Sequence, residues 1–362
     1  MTPPDSAPRP LAALASASQS YVPIDEHGYF KLDDARLTDV ELGADWLARL
    51  SIDARGRALL ARPGEPVSLV EAFDEPFVAA AVEGPVAGGW RVRMPYGYVE
   101  PFALATLSVD EWDRFHGRTN RGIPFVLSRS AQAEFFERVD EFDDDGVTVA
   151  GERTAIGPWL RDDAALGTPD FWSKIYREKA PGWELDAVSP VFAAFVPRLK
   201  LPKCRVLVLG AGSGNDAAFF ADLGHVVTAV DFSEEAIVRA RAKYGHKSEL
   251  RFVRADVFDL PAAMTGAFDL IVEHACFCAV NPVRRAELVR VWRRCLAEGG
   301  HVLGLFFTID RRRGPPVGCS EWELRARLQN LFRTLYWFRS RNSLEARAGQ
   351  EVLVYVQKVS RV

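Results

Sequence analysis

Residues 206–216 read VLVLGAGSGND, and this stretch decides the fold of the half of the chain that contains it. Its apolar residues predict a buried strand, its glycines predict a tight turn, and a helix is expected from Asp216 onward. Such a turn lets a ligand approach the backbone and offers it the N–H groups at the start of the helix. The stretch therefore predicts a nucleotide-binding turn. Its spacing is G-x-G-x-G, and Asn215 stands where a dinucleotide-binding fingerprint has its third glycine.

Downstream of this turn, apolar runs of strand length alternate with helical patterns. This alternation predicts an α/β fold, in which a parallel, Rossmann-like sheet carries helices on both faces. We predict strands over 205–209, 225–230, 250–254, 270–273 and 301–308, helices over 216–223, 232–244 and 284–297, and a closing hairpin within 344–358. Ser233 is the expected N-cap of the second helix. Four arginines of the third helix are expected on an exposed basic face: Arg284, Arg285, Arg293 and Arg294.

Two acidic residues follow the next two predicted strands, at positions where a nucleoside can be bound. Asp231 ends the second strand, where a carboxylate can accept hydrogen bonds from both ribose hydroxyls. Asp256 follows the third strand, where it can accept from an adenine amino group while Phe258 covers the ring. S-adenosylmethionine (SAM) has no pyrophosphate and does not need the third glycine. The turn and the two acids together predict SAM binding, and Asn215 disfavours a nicotinamide dehydrogenase.

Segments outside the glycine turn resemble one family. The sequence FDLIVEHACFCA at 268–279 resembles the segment after the fourth strand in the thiopurine, thiol and methyl-halide methyltransferases, a group of class I SAM-dependent enzymes. The resemblance covers residues 171 to 359, about half of the chain, and it includes a lead-in segment that closes over SAM. Its other motifs match in chain order: FW at 171–172, GWEL at 182–185, GLFF at 304–307, GPP at 314–316 and GQE at 349–351.

The resemblance implies a SAM methyltransferase sheet, SAM as cofactor, and a small soft nucleophile, most simply a thiol or hydrosulfide, as methyl acceptor. The sequence departs from the family pattern at Asp186, where glycine is frequent, and at 311–313, where three arginines replace smaller residues. These arginines either attract an anionic acceptor or form a solvated loop. The residues predicted to bind SAM are Trp172, Trp183, Gly210, Gly212, Gly214, Asp231, Phe232, Asp256, Val257, Phe258 and Glu273.

Methyl transfer from a sulfonium is an in-line displacement, and positioning alone can lower its barrier by about 7–11 kcal/mol. A thiol is partly ionised near neutral pH, so the chemistry does not demand a dedicated base. The predicted catalytic residues are Glu273 and His274, which follow the fourth strand, and Tyr176, whose ring can contact the sulfonium. Glu273 and His274 either act on the acceptor or support other site residues. Trp172 and Trp183 are equally explained as sulfonium contacts or as core residues. Cys276 and Cys278 are expected to pack.

The chain before residue 169 differs in composition. Residues 1–20 are rich in proline, alanine and serine and predict a disordered tail. Residues 21–150 predict a β-rich α+β accessory domain, 151–168 a linker, and 169–362 the methyltransferase domain. A short segment near residues 24–34 faintly resembles a small uncharacterised domain family, which implies no function. The elements predicted here are strands over 57–61, 67–73, 90–98 and 125–128 and a helix over 131–141.

Composition narrows the classes of function. The chain has 362 residues, 48% of them hydrophobic, and this length predicts two domains. Its net charge of −4 predicts no sequence-independent binding of nucleic acid. No apolar run approaches the ~20 residues that span a bilayer. Five cysteines without paired spacing indicate a reducing cytoplasm, and no metal site is predicted. A protein partner for the accessory domain stays open, as do two alternative functions, a SAM-binding regulatory protein and a macromolecular methyltransferase.

Overall fold

A computed structural model of the chain describes residues 19–86, 89–178, 181 and 183–360. Almost all of the predicted tail at 1–20 lies outside these residues, as does Gly182 of the lead-in segment. Within the described residues, no helix is long and apolar enough to cross a membrane.

The first half of the chain is built from short strands and two helices. Its elements are β1 (Tyr21–Ile24), β2 (Lys31–Leu32), β3 (Ala35–Arg36), α1 (Val40–Ala48), β4 (Leu50–Ile52), β5 (Ala58–Leu60), β6 (Ser68–Ala72), β7 (Phe77–Ala79), β8 (Ala81–Val86), β9 (Gly89–Arg93), β10 (Val99–Phe102), β11 (Ser108–Val109), β12 (Phe115–Arg118), β13 (Pro124–Leu127), α2 (Arg129–Phe136), β14 (Glu141–Asp143), β15 (Gly146–Val149), β16 (Glu152–Ala155) and β17 (Gly157–Pro158). The sheet orders are β1-β6-β5-β4, β10-β9-β8, β17-β11-β12-β13-β7, β14-β15-β16 and β2-β3. A shared hydrophobic core that includes Trp90, Phe125 and Phe135 packs these sheets together.

The strands predicted over 57–61, 67–73 and 125–128 correspond to β5, β6 and β13, whereas the strand predicted over 90–98 is β9 and ends at Arg93, before a turn at Pro95–Gly97. Two other predictions also need correction. The helix expected over 131–141 is α2 and ends at Phe136, because residues 141–143 pair with β15 as a strand. The linker expected at 151–168 contains β16, which pairs with β15, and β17, which pairs with β11. Residues 152–158 therefore pair with the first half, whereas Leu166 packs with Trp172 and Val317 of the second. The division into two domains stays a prediction.

The second half forms a seven-stranded sheet with helices around it. Its elements are α3 (Pro169–Glu178), α4 (Pro190–Leu199), β18 (Arg205–Leu209), α5 (Asn215–Asp222), β19 (Val226–Asp231), α6 (Glu234–Tyr244), β20 (Leu250–Arg254), β21 (Phe268–His274), α7 (Arg285–Cys295), β22 (Leu296–Phe307), α8 (Glu321–Leu328), β23 (Phe332–Arg339) and β24 (Glu351–Lys358). The strand order is β20-β19-β18-β21-β22-β24-β23. The first five strands of this order are parallel, and β24 and β23 are antiparallel to their neighbours.

Alternate residues of the strands face opposite layers of helices, as the period of two in a strand requires. Val206 and Val208 of β18 pack with α4, α5 and α6, whereas Leu207 and Leu209 belong to the cluster with α7 and α8. Ser233 caps α6, as expected, because its side chain accepts a hydrogen bond from the backbone N–H of Ala236. The predicted α/β sheet with helices on both faces is confirmed.

The end of the chain differs from the prediction. The closing hairpin is not contained within 344–358, because β24 pairs with β23, which begins at Phe332. The residues of β23 mix arginine with aromatic side chains and are mostly exposed or half-buried, so they lack the alternation that marks a strand. Helices α4 and α8 were likewise not predicted, although Ser189 and Ser320 cap them.

The exposed basic face expected on α7 is wrong for Arg285. This side chain is completely buried (0% exposed), and it donates to the carbonyl oxygens of Val317 (2.7 Å) and Gly318 (3.1 Å). Its guanidinium also forms an ion pair with Glu323 (3.1 Å). Arg285 therefore ties α7 to α8 and to the loop before α8 from inside the protein.

Charged side chains connect the two halves. Arg312 pairs with the buried Glu75, and its guanidinium carbon lies 3.0 Å from the ring centroid of Trp159. Arg118 pairs with Asp310 at 2.8 Å. The interpretation of residues 311–313 as an attraction for an anionic acceptor is therefore wrong for Arg312, which points into the contact between the halves.

Candidate active site

A cleft opens at the carboxyl edge of the parallel strands, where β18, β19, β20 and β21 end. It has about 1210 Å³ of empty space, its open mouth included. The predicted site residues that line it are Trp172, Tyr176, Trp183, Gly210, Gly212, Asp231, Phe232, Asp256, Val257, Phe258 and His274. Open α/β sheets bind their ligands at this edge.

The glycine turn after β18 forms the floor of the cleft. Gly210 and Gly212 have φ values of +61° and +53°, in the region that disfavours side chains. A Cβ atom on Gly210 would lie 2.8 Å from the Cβ of Cys276, and one on Gly212 would lie 2.9 Å from the hydroxyl oxygen of Tyr176. Gly214 does not line the cleft. It begins α5 with φ +82° and packs against Phe252.

Asp231 lies at the carboxyl end of β19, beside the glycine turn, and is only 8% exposed. Its Oδ2 accepts from the N–H of Gly212 and its Oδ1 from the N–H of Ser233, both at 2.9 Å. Burial raises the pKa of this carboxyl, and backbone N–H groups, those of Ser233 and Gly212 foremost, oppose the rise. A carboxylate has about four acceptor positions, so two remain for a ligand in the cleft.

The residues after β20 form the next wall. The Oδ1 of Asp256 accepts from the N–H of Phe258 at 2.9 Å, which folds this segment into a turn. The guanidinium carbon of Arg284 lies 3.5 Å from the ring centroid of Phe258. Arg284 therefore covers this ring at the mouth of the cleft, a role that the sequence did not indicate.

Aromatic side chains close the opposite side of the cleft. Trp172 and Tyr176 of α3 lie edge-on to Trp183, with centroid distances of 5.7 and 6.5 Å. The indole N–H of Trp172 donates to the carbonyl of Leu166 at 3.0 Å. Tyr176 faces the glycine turn, since its hydroxyl oxygen would lie 2.9 Å from a Cβ on Gly212.

Residues 162–167, here called the strap, also border the cleft. Leu166 and Gly167 of the strap line it. Asn281, which lines the cleft as well, holds the strap, since its Nδ2 donates to Asp162 Oδ1 (2.6 Å) and its Oδ1 accepts from the N–H of Asp163 (3.3 Å). The strap carries the chain from β17 to α3, so it links the cleft to the first half of the protein.

Glu273 was predicted both to bind SAM and to act in catalysis, but it does not line the cleft. Its side chain is completely buried, and its Oε1 accepts from the N–H of Phe277 at 2.8 Å. Burial raises the pKa of this carboxyl to about 7. Its Oε2 has no hydrogen-bond partner among the described residues. Glu273 therefore supports the loop after β21 from behind the wall.

His274, the next residue, does line the cleft. Its Nδ1 lies 2.6 Å from Oδ2 of Asp216, and its Nε2 lies 3.3 Å from Nη1 of Arg347. Burial alone would lower the pKa of His274, but the carboxylates of Asp216 and Glu351 outweigh burial and raise it. Asp216 was not predicted as a site residue, although it stands in the stretch that predicts the glycine turn.

The thiols near the cleft are not activated. Burial raises the pKa of Cys276 well above its ordinary range and that of Cys278 to about 12. Both side chains are buried, as the packing interpretation expects. Among the described residues, no cluster of histidine, cysteine and acidic side chains could hold a metal ion.

Replacing Gly210 with alanine is expected to weaken SAM binding by about tenfold or more. The left-handed backbone at this position costs an alanine about 1–2 kcal/mol, and the new Cβ meets Cys276 at 2.8 Å. The matched control is Gly167→Ala, because Gly167 also lines the cleft and has nothing within 4 Å of the added atom. Isothermal titration calorimetry of both variants checks the expectation, and equal affinities would contradict it.

Comparison with known proteins places the second half of the chain. The family model for thiopurine S-methyltransferase matches residues 167–358, more than half of the chain. A probable thiol methyltransferase 2 from Arabidopsis thaliana is 33% identical over 42% of this chain and 69% of its own length. Thiocyanate methyltransferase 1 from the same plant is 32% identical over 40% of this chain and 65% of its own length.

A solved structure is similar to about half of the chain. It is a Burkholderia thailandensis 1,6-didemethyltoxoflavin-N1-methyltransferase with bound 1,6-didemethyltoxoflavin and S-adenosylhomocysteine. It is 22% identical, has a TM-score of 0.45, and covers 54% of this chain and 89% of that chain.

Proposed function

The chain belongs to the thiopurine S-methyltransferase family of SAM-dependent methyltransferases, and from that premise we propose that it methylates the sulfur of a small thiol or of hydrosulfide. The observation that carries the proposal is the buried carboxylate of Asp231 beside a glycine turn, in a cleft whose far side is aromatic. Cys276 and Cys278 are buried, and burial raises the pKa of both thiols, which agrees with direct transfer to the acceptor.

The residues of the cleft fit SAM, because a ligand can use the two unfilled acceptor positions of Asp231 and the space that a Cβ on Gly210 or Gly212 would fill. When bound, SAM supplies a methyl group on a positively charged sulfur. In our proposal, Asp231 holds the ribose hydroxyls. Asp256, Val257 and Phe258 would hold the adenine ring, and the turn that Gly214 completes would hold the amino-acid part. The sulfonium would be held by the aromatic residues Trp172, Tyr176, Trp183 and Phe232.

The first contribution of the chain's own residues to the reaction is positional. The faces of aromatic rings attract a sulfonium, and the rings exclude water from it. With water excluded, an acceptor sulfur held in line with the methyl group reacts without a covalent enzyme intermediate. A thiol suits such a site better than an alcohol, since its pKa lies near ~8.5 and it ionises easily.

The expected result is faster turnover with hydrosulfide or a small alkanethiol than with any alcohol or amine. The rate should rise with pH toward the thiol pKa, because the thiolate is the nucleophile. Release of S-adenosylhomocysteine, measured against a panel of these nucleophiles from pH 6 to 9, checks both points. Turnover confined to a protein or RNA, or SAM binding without turnover, would favour the macromolecular or regulatory alternatives.

We further propose a reducing, cytoplasmic location and an accessory, partner-binding role for the first half of the chain. All five cysteines lie among the described residues and none is in a disulfide, which supports the proposed location. The many strands of the first half do not line the cleft, which supports an accessory role.

A further inference from the structure

We propose that Asp216 is a positioning residue that holds His274 as the base for the acceptor thiol. This inference rests on the proposed function, because it concerns the proton that a thiol must lose. Asp216 lies in the first turn of α5 and His274 at the carboxyl end of β21, and both line the cleft. The 2.6 Å separation of Asp216 Oδ2 and His274 Nδ1 is the shortest polar contact of the imidazole.

The contacts on the imidazole define its tautomer. A carboxylate only accepts hydrogen bonds, so Nδ1 carries the proton that faces Asp216. A guanidinium only donates, so Nε2 keeps its lone pair toward Nη1 of Arg347 at 3.3 Å. That contact is long, and Nη1 of Arg347 also lies 3.4 Å from Oε1 of Glu351. Nε2 is therefore the basic atom of this side chain.

Asp216 is itself held in place, which makes it able to orient a partner. Its Oδ1 accepts from the N–H of Ser189 at 3.1 Å, at the start of α4. The ring of Phe192, on α4, packs edge-on against the imidazole at a centroid distance of 5.5 Å. The carboxylate and the ring thus fix His274 from two sides, as a second residue orients the imidazole of other carboxylate–histidine pairs.

The charges around His274 favour its accepting a proton. Asp216 on α5 and Glu351 on β24 are negative, whereas Arg347, in the turn before β24, is positive. When Nε2 is protonated, it can no longer accept a hydrogen bond from Arg347. The guanidinium of Arg347 still contacts Glu351, and its Nη2 still donates to the carbonyl oxygen of Trp183 at 2.8 Å. The new positive charge is balanced by Asp216.

The proposed step moves one proton and one methyl group. The proton of the thiol moves to Nε2 of His274, and an electron pair of the thiol sulfur forms the new bond to the methyl carbon. The bond between that carbon and the donor sulfur breaks, and its electron pair stays on the donor sulfur, which becomes a neutral thioether. His274 afterwards releases the proton from Nε2 to solvent.

The test is Asp216→Asn in the full chain, since the amide has the same shape and no charge. We expect kcat with a small alkanethiol to fall about 100-fold, the size typical of a general base. The inflection of the pH profile and the pKa of His274, followed by NMR with His274→Gln to assign its signal, should both move to lower pH. SAM affinity should stay within twofold. An aromatic thiol that is already ionised at neutral pH should react with the variant at nearly the wild-type rate, because it needs no base.

Asp222→Asn is the matched control, because Asp222 lies on the same helix and pairs with Lys247 at the surface. It should leave every readout unchanged. The proposal is overturned if Asp216→Asn slows ionised and un-ionised thiols equally, if the pKa of His274 does not move, or if His274→Gln keeps wild-type turnover. A wild-type protein that methylates no thiol would overturn the proposed function and this inference together.

Discussion

Replacing Asp231 with alanine is expected to weaken SAM binding by about two to four orders of magnitude. Two ribose hydrogen bonds to a carboxylate would be lost, at about 1.5–3 kcal/mol each. The N–H groups of Gly212 and Ser233, both 2.9 Å from this carboxylate, would also lose their acceptor. Calorimetry with SAM and with S-adenosylhomocysteine measures the effect.

Two further variants make this experiment specific. Asp231→Asn keeps an acceptor oxygen and should lose less affinity than the alanine variant. Asp259→Ala, at an exposed acid near the same edge of the sheet, should bind like the wild type. An alanine variant at Asp231 that binds SAM within threefold of the wild type, or tight binding of NAD by the wild type, would refute the assignment of this residue.

Arg285→Ala is expected to lower the free energy of unfolding by about 3–5 kcal/mol, because removing one partner of a buried ion pair leaves the other uncompensated. The carbonyl oxygens of Val317 and Gly318 would lose their donor, and Glu323 would keep its ion pair with Arg327 (2.9 Å). Urea denaturation followed by circular dichroism gives the change in free energy.

The control for this variant lies on the same helix. Arg290 is exposed on α7, and Arg290→Ala should change the free energy of unfolding by less than about 0.5 kcal/mol. If the two alanine variants are equally stable, the buried position of Arg285 is wrong and the exposed basic face expected from the sequence is right.

The residues that follow strands were predictable because parallel strands share one carboxyl edge. Asp231 and Asp256 could therefore be brought together from their positions at the ends of β19 and β20. Glu273 and His274 could not be told apart in this way. Neighbouring residues at the end of a strand point to opposite faces, and only the packing of the sheet decides that His274 meets the cleft while Glu273 is buried behind it.

Contacts between distant segments were beyond the sequence. Asp216 meets His274 only because β18 and β21 are neighbours, an order that a single sequence does not reveal. Arg312 looked like a solvated or substrate-facing residue, but its partners Glu75 and Trp159 lie more than 150 positions away. Such pairings depend on how the two halves meet, for which composition and periodicity carry no signal.

The strap connects the first half of the protein to the cleft, so docking of the strap and ligand binding can be coupled. Asn281 contacts both the strap and the space where a ligand binds. Coupling between two such sites is reciprocal. If docking of the strap raises ligand affinity, then the bound ligand stabilises residues 162–167 against local opening by the same free energy. A substitution in the first half that weakens docking of the strap is therefore expected to lower the ligand affinity of the cleft, although it changes no residue of the cleft wall.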